Sequence, residues 1–267
     1  MAKICFIVGH GKSSKGGYDP GACFGGYEEF KIAKEIAKYA QEYYNKNYSE
    51  VADLMNYDGS IYLSDRIKKV NKCDYDFIAE FHLNAGGGTG TECFYSINDE
   101  TGRKYAQAIS KEIATAFGVR NRGAKTKVKN GSDYFGIIRQ TKPTAVLIET
   151  LFIDSADINK IKTADGQKQC GETVAKIVAE VRGAKKKTAT STTATTGKNA
   201  TVTKQYFKKY TGKSSSIVDG LVAIGVDHSF AYRKKIAAVN GIKVYVGTPT
   251  QNLKLLNLLK QGRLVKP

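Results

Sequence analysis

Over the first 180 residues the apolar positions switch between continuous runs and a period of 3.6, a pattern that predicts an α/β layer fold. Five consecutive apolar residues, Ile4–Val8, predict a strand buried on both faces. Residues 28–44 place Ile32, Ala33, Ile36, Ala37, Ala40 and Tyr44 on one side, which predicts a helix. Residues 76–82 alternate, with Phe77, Ala79 and Phe81 facing one way and Ile78, Glu80 and His82 the other, as a strand does. A third strand is expected over 92–96, and a helix over 101–117 with Tyr105, Ala108, Ile109, Glu112, Ile113 and Ala116 along one side. An apolar stretch at 135–139, a turn at Lys142-Pro143, a strand over 145–149 and a helix over 169–181 complete the series. The expected architecture is a three-layer α/β fold, a sheet flanked by helices.

The pattern breaks after Arg182. Residues 184–203 are almost all Ala, Lys, Thr, Ser, Gly and Asn, have no apolar face, and predict a linker. Beyond it, 216–224, 229–239 and 250–259 predict three short helices. The chain thus divides into a domain over 1–183, a linker over 184–203, and a small, mainly α-helical unit over 204–267. About 60 residues make a marginal core, so the second unit is expected to bind rather than to catalyse.

Charge sharpens that division. The chain carries 42 Lys+Arg against 25 Asp+Glu, a formal +17, of which +3 falls in residues 1–183 and +14 in 184–267. A 41% apolar content excludes wholesale disorder, and the lack of any apolar run near 18 residues predicts no membrane-spanning helix. The run Ile4–Val8 is too short for a signal-peptide core, so synthesis in the cytoplasm without a signal peptide is expected. Five cysteines without CxxC spacing predict reduced thiols. The basic tail by itself suits a nucleic-acid-binding protein, yet no helix-turn-helix, RNP or zinc-finger pattern accompanies it.

Two of the three histidines, His10 and His82, fall at the ends of predicted strands, where open α/β sheets build their sites. Glu28 and Glu29 open the first helix, a position that also simply favours acidic side chains. Glu149 closes the apolar strand Ala145-Val146-Leu147-Ile148, where an ionised group needs a partner. Two imidazoles and one carboxylate form a zinc set of the hydrolytic type with a position left for water. A second carboxylate could then serve as general base and acid.

Six segments occur in order: Val8-Gly9-His10-Gly11, Asp19-Pro20-Gly21-Ala22, Glu28-Glu29-Phe30, Glu80-Phe81-His82-Leu83-Asn84-Ala85, Arg122-Gly123-Ala124-Lys125, and Pro143-Thr144-Ala145-Val146-Leu147-Ile148-Glu149. Together they resemble the zinc-dependent N-acetylmuramoyl-L-alanine amidases of the Amidase_3 type, in particular the catalytic domains of endolysins from phages of clostridia and related Gram-positive bacteria. The resemblance covers residues 3–182. It implies His10, Glu29 and His82 as the zinc ligands, Glu149 as the catalytic glutamate and Asn84 as a substrate-binding residue beside the metal. Glu29 is preferred over Glu28 because Ile32 and Ala37 then fall where the family has an apolar residue and an alanine. Residues 12–18 lengthen the loop that many members keep compact. Glu80 stands where many members have a small residue; it is expected to pair with a lysine, orientation of an imidazole being the second reading.

The resemblance further implies a peptidoglycan hydrolase that cleaves the amide between the lactyl group of N-acetylmuramic acid and L-alanine, acting on Gram-positive walls after release from the cytoplasm. The C-terminal segment looks like the wall-targeting modules of such enzymes, with an anionic wall polymer or a muropeptide as its ligand and no nucleic acid expected. Its Tyr206, Phe207, Tyr210, Phe230, Tyr232 and Tyr245 are sugar-stacking or core aromatics. The alternatives are a zinc peptidase cutting within the stem peptide and, from another class, a basic nucleic-acid-binding protein.

Overall fold

The computed structural model describes residues 3–187, 205–212, 214–242, 245 and 247–267. The chain divides into two compact units, Met1–Thr190 and Ser191–Pro267.

The first unit is built on six strands: β1 (Ile4–Val8), β2 (Ala52–Met55), β3 (Phe77–Asn84), β4 (Thr91–Tyr95), β5 (Asn121–Lys125) and β6 (Thr144–Phe152). They lie in the order β2-β1-β3-β6-β4-β5. The first four are mutually parallel, β4 runs antiparallel to β6, and β5 runs parallel to β4. The chain leaves β1 towards β2 on one side and returns to β3 on the other. The crevice between the carboxyl ends of β1 and β3 is therefore a topological switch point, the place where such sheets bind ligands.

Helices α1 (Glu29–Asn47), α3 (Glu100–Phe117) and α6 (Ala164–Arg182) cover one face. There Phe6, Phe81 and Ile148 from the sheet meet Ile36, Ala40, Ile109 and Val174 from the helices, all fully buried. The α1 and α6 backbones approach so closely that a Cβ on Gly171 would stand 2.4 Å from the Ile36 carbonyl oxygen, so this crossing needs glycine. Among the described residues the other face carries α2 (Leu63–Lys72) and the five-residue α4 (Gly136–Gln140), packed on Cys5, Ile7, Ile78 and Leu147. A short α5 (Ile158–Ile161) precedes α6.

Every strand and long helix expected from the pattern is present within a few residues, and the flanked sheet is the one anticipated. The stretch at 135–139 proves to be helix α4. The pattern gave no sign of β2, α2, β5 or α5. Residues 184–187, expected as the start of the linker, lie against the first unit: Ser49 N donates to Lys185 O and Lys187 N to Asn47 O. The rest of that stretch, 188–203, lies outside the described residues.

The second unit holds α7 (Ile217–Ala223), α8 (Phe230–Val239) and α9 (Pro249–Lys260), capped by Ser216, Ser229 and Thr248. Phe207, Leu221, Ile236, Leu255, Leu259 and Leu264 form its core, and its two ends are tied by Phe207 N to Leu264 O and Lys266 N to Gln205 O. Of its aromatics, Phe207, Tyr210 and Tyr245 belong to the core, Tyr206 and Phe230 are exposed, and Tyr232 is half-buried.

Candidate metal centre

His10 lies two residues beyond β1, in the left-handed backbone region with φ of 59°. Two buried side chains hold it there. Asn56 Nδ2 donates to the carbonyls of Val8 (2.8 Å) and His10 (2.9 Å), and Arg66 Nη1 donates to the same two oxygens at 3.0 and 2.8 Å. His82 lies within β3, and its ring rests on Gly9, where an added Cβ would stand 2.2 Å from Cε1. Glu29 is the first residue of α1, with 4% exposure. Ala22 N (2.8 Å) and Leu83 N (3.0 Å) each donate to one of its oxygens, so the carboxylate is fixed from both sides.

The three side chains converge. Glu29 Oε1 lies 3.2 Å from His10 Nε2 and 2.9 Å from His82 Nδ1. The ring centroids are 4.9 Å apart with planes at 76°. The donor atoms all fall within 4.8 Å of one another, close enough for a single ion with bonds of about 2 Å to reach all three. Each imidazole is also held at its far nitrogen: His10 Nδ1 by Asp19 Oδ2 at 3.0 Å, His82 Nε2 by Glu80 Oε2 at 3.2 Å. A carboxylate behind each imidazole fixes the tautomer that turns a lone pair towards the ion. The donor set fits a divalent metal ion.

Electrostatics agree with that geometry. Burial opposes charge on all three groups, but mutual hydrogen bonding prevails: the Glu29 carboxyl is held well below the usual carboxylate range, and both imidazoles are raised, His82 strongly. The neighbouring Glu28 instead bonds Tyr18 and Lys31.

Glu149 sits on β6 directly in register with His82 on β3, and its other neighbour across the sheet is Glu92 on β4. Burial pushes its carboxyl up to about 7. Its Oε2 is buried with no hydrogen-bond partner among the described residues. Past Glu149 the register shifts before Phe152 pairs with Asn84, one of the irregularities that occur beside sites. Asn84 turns inward, donating to Glu92 Oε1 at 2.7 Å and accepting from Ala85 N.

Glu80 corrects one expectation. It is buried, and its partners are His82 and Arg66, whose Nε lies 3.4 Å from Glu80 Oε1, not a lysine. Sequence reasoning also gave no role to Asp19, Asn56, Arg66 or Glu92. For Arg66 no signal was available, since its helix buries only Arg66, Ile67 and Val70. The lengthened loop 12–18 is a hairpin in which Gly11–Lys12 pairs with Tyr18–Asp19, and this pairing returns Asp19 to His10.

An α/β sheet with a two-imidazole, one-carboxylate donor set at its switch point, and a buried carboxyl on the next strand, has the build of a metallohydrolase centre. The chain belongs to the N-acetylmuramoyl-L-alanine amidase family Amidase_3, whose sequence profile matches residues 4–180. It is 33% identical over 168 residues to the sporulation-specific N-acetylmuramoyl-L-alanine amidase of Bacillus subtilis (strain 168), an alignment that covers 61% of this chain and 62% of that protein. It is 29% identical over 274 residues to the endolysin of Bacillus phage SPP1, covering 92% and 93%. The crystal structure of the N-acetylmuramoyl-L-alanine amidase from Clostridium difficile 630 superposes with a TM-score of 0.59 at 28% identity, covering 68% of this chain and 97% of that one. The chain spans 62% of the length of the two Bacillus amidases it matches.

Proposed function

We propose that the chain is a zinc-dependent N-acetylmuramoyl-L-alanine amidase, which hydrolyses the amide joining the lactyl group of N-acetylmuramic acid to L-alanine of the peptidoglycan stem peptide. The observation that carries this reading is the convergence of His10, Glu29 and His82 with Glu149 in register beside them. Bound by those three residues, zinc would polarise the scissile carbonyl and lower the pKa of water to about 7. Glu149 accepts the proton of the attacking water and delivers it to the departing nitrogen. A carbon–oxygen bond forms and the carbon–nitrogen bond breaks, leaving a lactyl carboxylate and the free amine of L-alanine. Asp19 and Glu80 keep the imidazoles oriented through the cycle, and Asn84, its amide held by Glu92, is the substrate-binding residue beside the site.

The second unit acts as a wall-binding module for an anionic wall polymer or muropeptide, the linker joining it to a catalytic domain over 1–183. Its excess of positive charge and its small helical core support this role. The likeness to a phage endolysin along nearly the whole chain supports action on the wall from within.

Digestion of purified Gram-positive peptidoglycan, with and without a chelator, tests the reading. Chelator-sensitive release of N-terminal L-alanine with intact disaccharides is the expected result, and Glu149→Ala should retain metal while turnover falls by about 10²–10⁴-fold. Cuts inside the stem peptide would transfer the assignment to a zinc peptidase, and absence of chelator-sensitive cleavage would remove both enzymatic readings.

A further inference from the structure

Beside Glu149, across the β6–β4 pairing, lies a charged cluster that plays no part in holding a metal. Glu92 is 5% exposed, and its carboxylate receives Arg122 Nε at 2.6 Å, Lys125 Nζ at 2.5 Å and Asn84 Nδ2 at 2.7 Å. Two cations thus share one buried anion, which leaves a net positive charge one strand away from Glu149. Arg122 is the extra residue of a bulge where β5 pairs with β4, and its guanidinium stacks on Phe152 at 5.0 Å. With Nε on Glu92 and one face on a ring, the guanidinium is locked, while its two terminal nitrogens have no partner among the described residues. A pre-oriented arginine fork with free N–H groups matches a carboxylate.

We propose that Arg122 and Lys125, set in place by Glu92, form an anion subsite that recognises a free carboxylate on the stem peptide beyond the L-alanine nitrogen. The subsite rests on the amidase reading, since that reaction puts the peptide on the amine side of the scissile bond. The separation suits it. Directly opposed residues of an antiparallel pair have Cα atoms about 4.5–5.5 Å apart, so an extended peptide rising about 3.3–3.6 Å per residue reaches from Glu149 past Glu92 within two or three residues. Arg122 and Lys125 are only part-exposed, at 26% and 37% of their side chains, so a carboxylate bound there is partly shielded from screening. Glu92 is a positioning residue: it touches the two cations and not the peptide.

The test compares two soluble muropeptides that differ only in whether the second stem residue carries a free α-carboxylate or its amide. The wild-type protein should cleave the acidic substrate with a kcat/KM about tenfold higher, mainly through KM, and the preference should shrink with added salt. In Arg122→Gln the ratio should fall to near one; Lys125→Gln should lower it part-way, and serves as the second variant if the first fails to fold. Equal kcat/KM for the two substrates in the wild-type protein, or an unchanged ratio in folded, metal-loaded variants, would overturn the subsite. If neither substrate is cleaved by the wild-type protein, the amidase reading fails separately. Fluorescence polarisation with the same two labelled peptides then decides the subsite: tighter binding of the acidic peptide that Arg122→Gln abolishes upholds it, and equal binding removes it.

Discussion

Arg66 Nε stands 3.4 Å from Glu80 Oε1, and this buried pair ties together the two histidines of the site. Through Nη1 the guanidinium holds the carbonyl of His10, and through Glu80 it reaches the far nitrogen of His82. The donors are thus set by a helix that contributes no donor itself. Glu80→Gln keeps the shape and removes the charge behind His82, so metal affinity should fall by about 10–100-fold with the fold intact. Glu80→Leu also strands a buried guanidinium and should cost about 3–5 kcal/mol of stability. Competition against a chelator and urea unfolding measure the two effects, and native metal affinity in Glu80→Gln would refute the coupling.

Burial of the Glu149 carboxyl costs stability once it ionises. Burial raises its carboxyl from 4.5 to about 7 in the folded chain. A carboxyl raised on folding contributes its stability below the unfolded pKa, and that contribution is lost as pH rises through the folded value. Metal-free Glu149→Gln should therefore gain on the metal-free parent between pH 5 and pH 8, by about 1–3 kcal/mol. Urea unfolding of both proteins in chelator at the two pH values measures the difference, and the same difference at both would mean that the carboxyl is not strained by burial.

The parts legible in the sequence are those whose signal is local. Ile4–Val8 is buried on both faces and reads as one apolar run, and α1 shows its buried stripe because Ile32, Ile36, Ala40 and Tyr44 recur with the helix. His10 and His82 stand out because they end such segments. Strand β5, Asn-Arg-Gly-Ala-Lys, lies at the sheet edge with no buried residue, and β2 buries only Ala52, so neither carries an apolar pattern. Helix α2 buries only Arg66, Ile67 and Val70, too narrow a stripe to announce itself, and the arginine that organises the site went with it. The partner of Glu80 is hidden from the sequence for the same reason: the pairing is made by a helix fourteen residues upstream, and composition favours lysine only by number.

Gly9 admits a sharper test of how tightly the site is packed. Its backbone is not left-handed, so alanine there meets a steric obstacle only, the His82 ring 2.2 Å from the new Cβ. The ring has to shift from its place between Glu29 and Glu80, while the rest of the sheet is untouched. Gly9→Ala should fold with a loss of about 1–3 kcal/mol and bind metal at least about tenfold more weakly, in keeping with the loss seen when a ligand is mis-oriented. Circular dichroism and metal titration together read this out, and native affinity in the variant would show that the imidazole is free to shift.

On the proposed reading, the uneven charge predicts how each unit would hold the wall. Residues 184–267 contain only two acids, Asp219 and Asp227, and both are spent locally, on the Ser214 hydroxyl and on Ser229. All the ion pairs among the described residues fall in the first unit. The described lysines and arginines of the second unit thus have no acidic partner, although Arg233 is held by the His228 carbonyl, Tyr245 and Asn252; on the proposed reading their charge is available to the wall, a polyanion. Attraction of this kind is screened over about 8 Å at 0.15 M salt. Pull-down on purified walls should show the full chain released steeply between 0.05 and about 0.5 M salt, and a chain ending at residue 190 binding more weakly but with little salt dependence. Equal salt response in the two proteins would show that the second unit holds the wall by contacts other than charge.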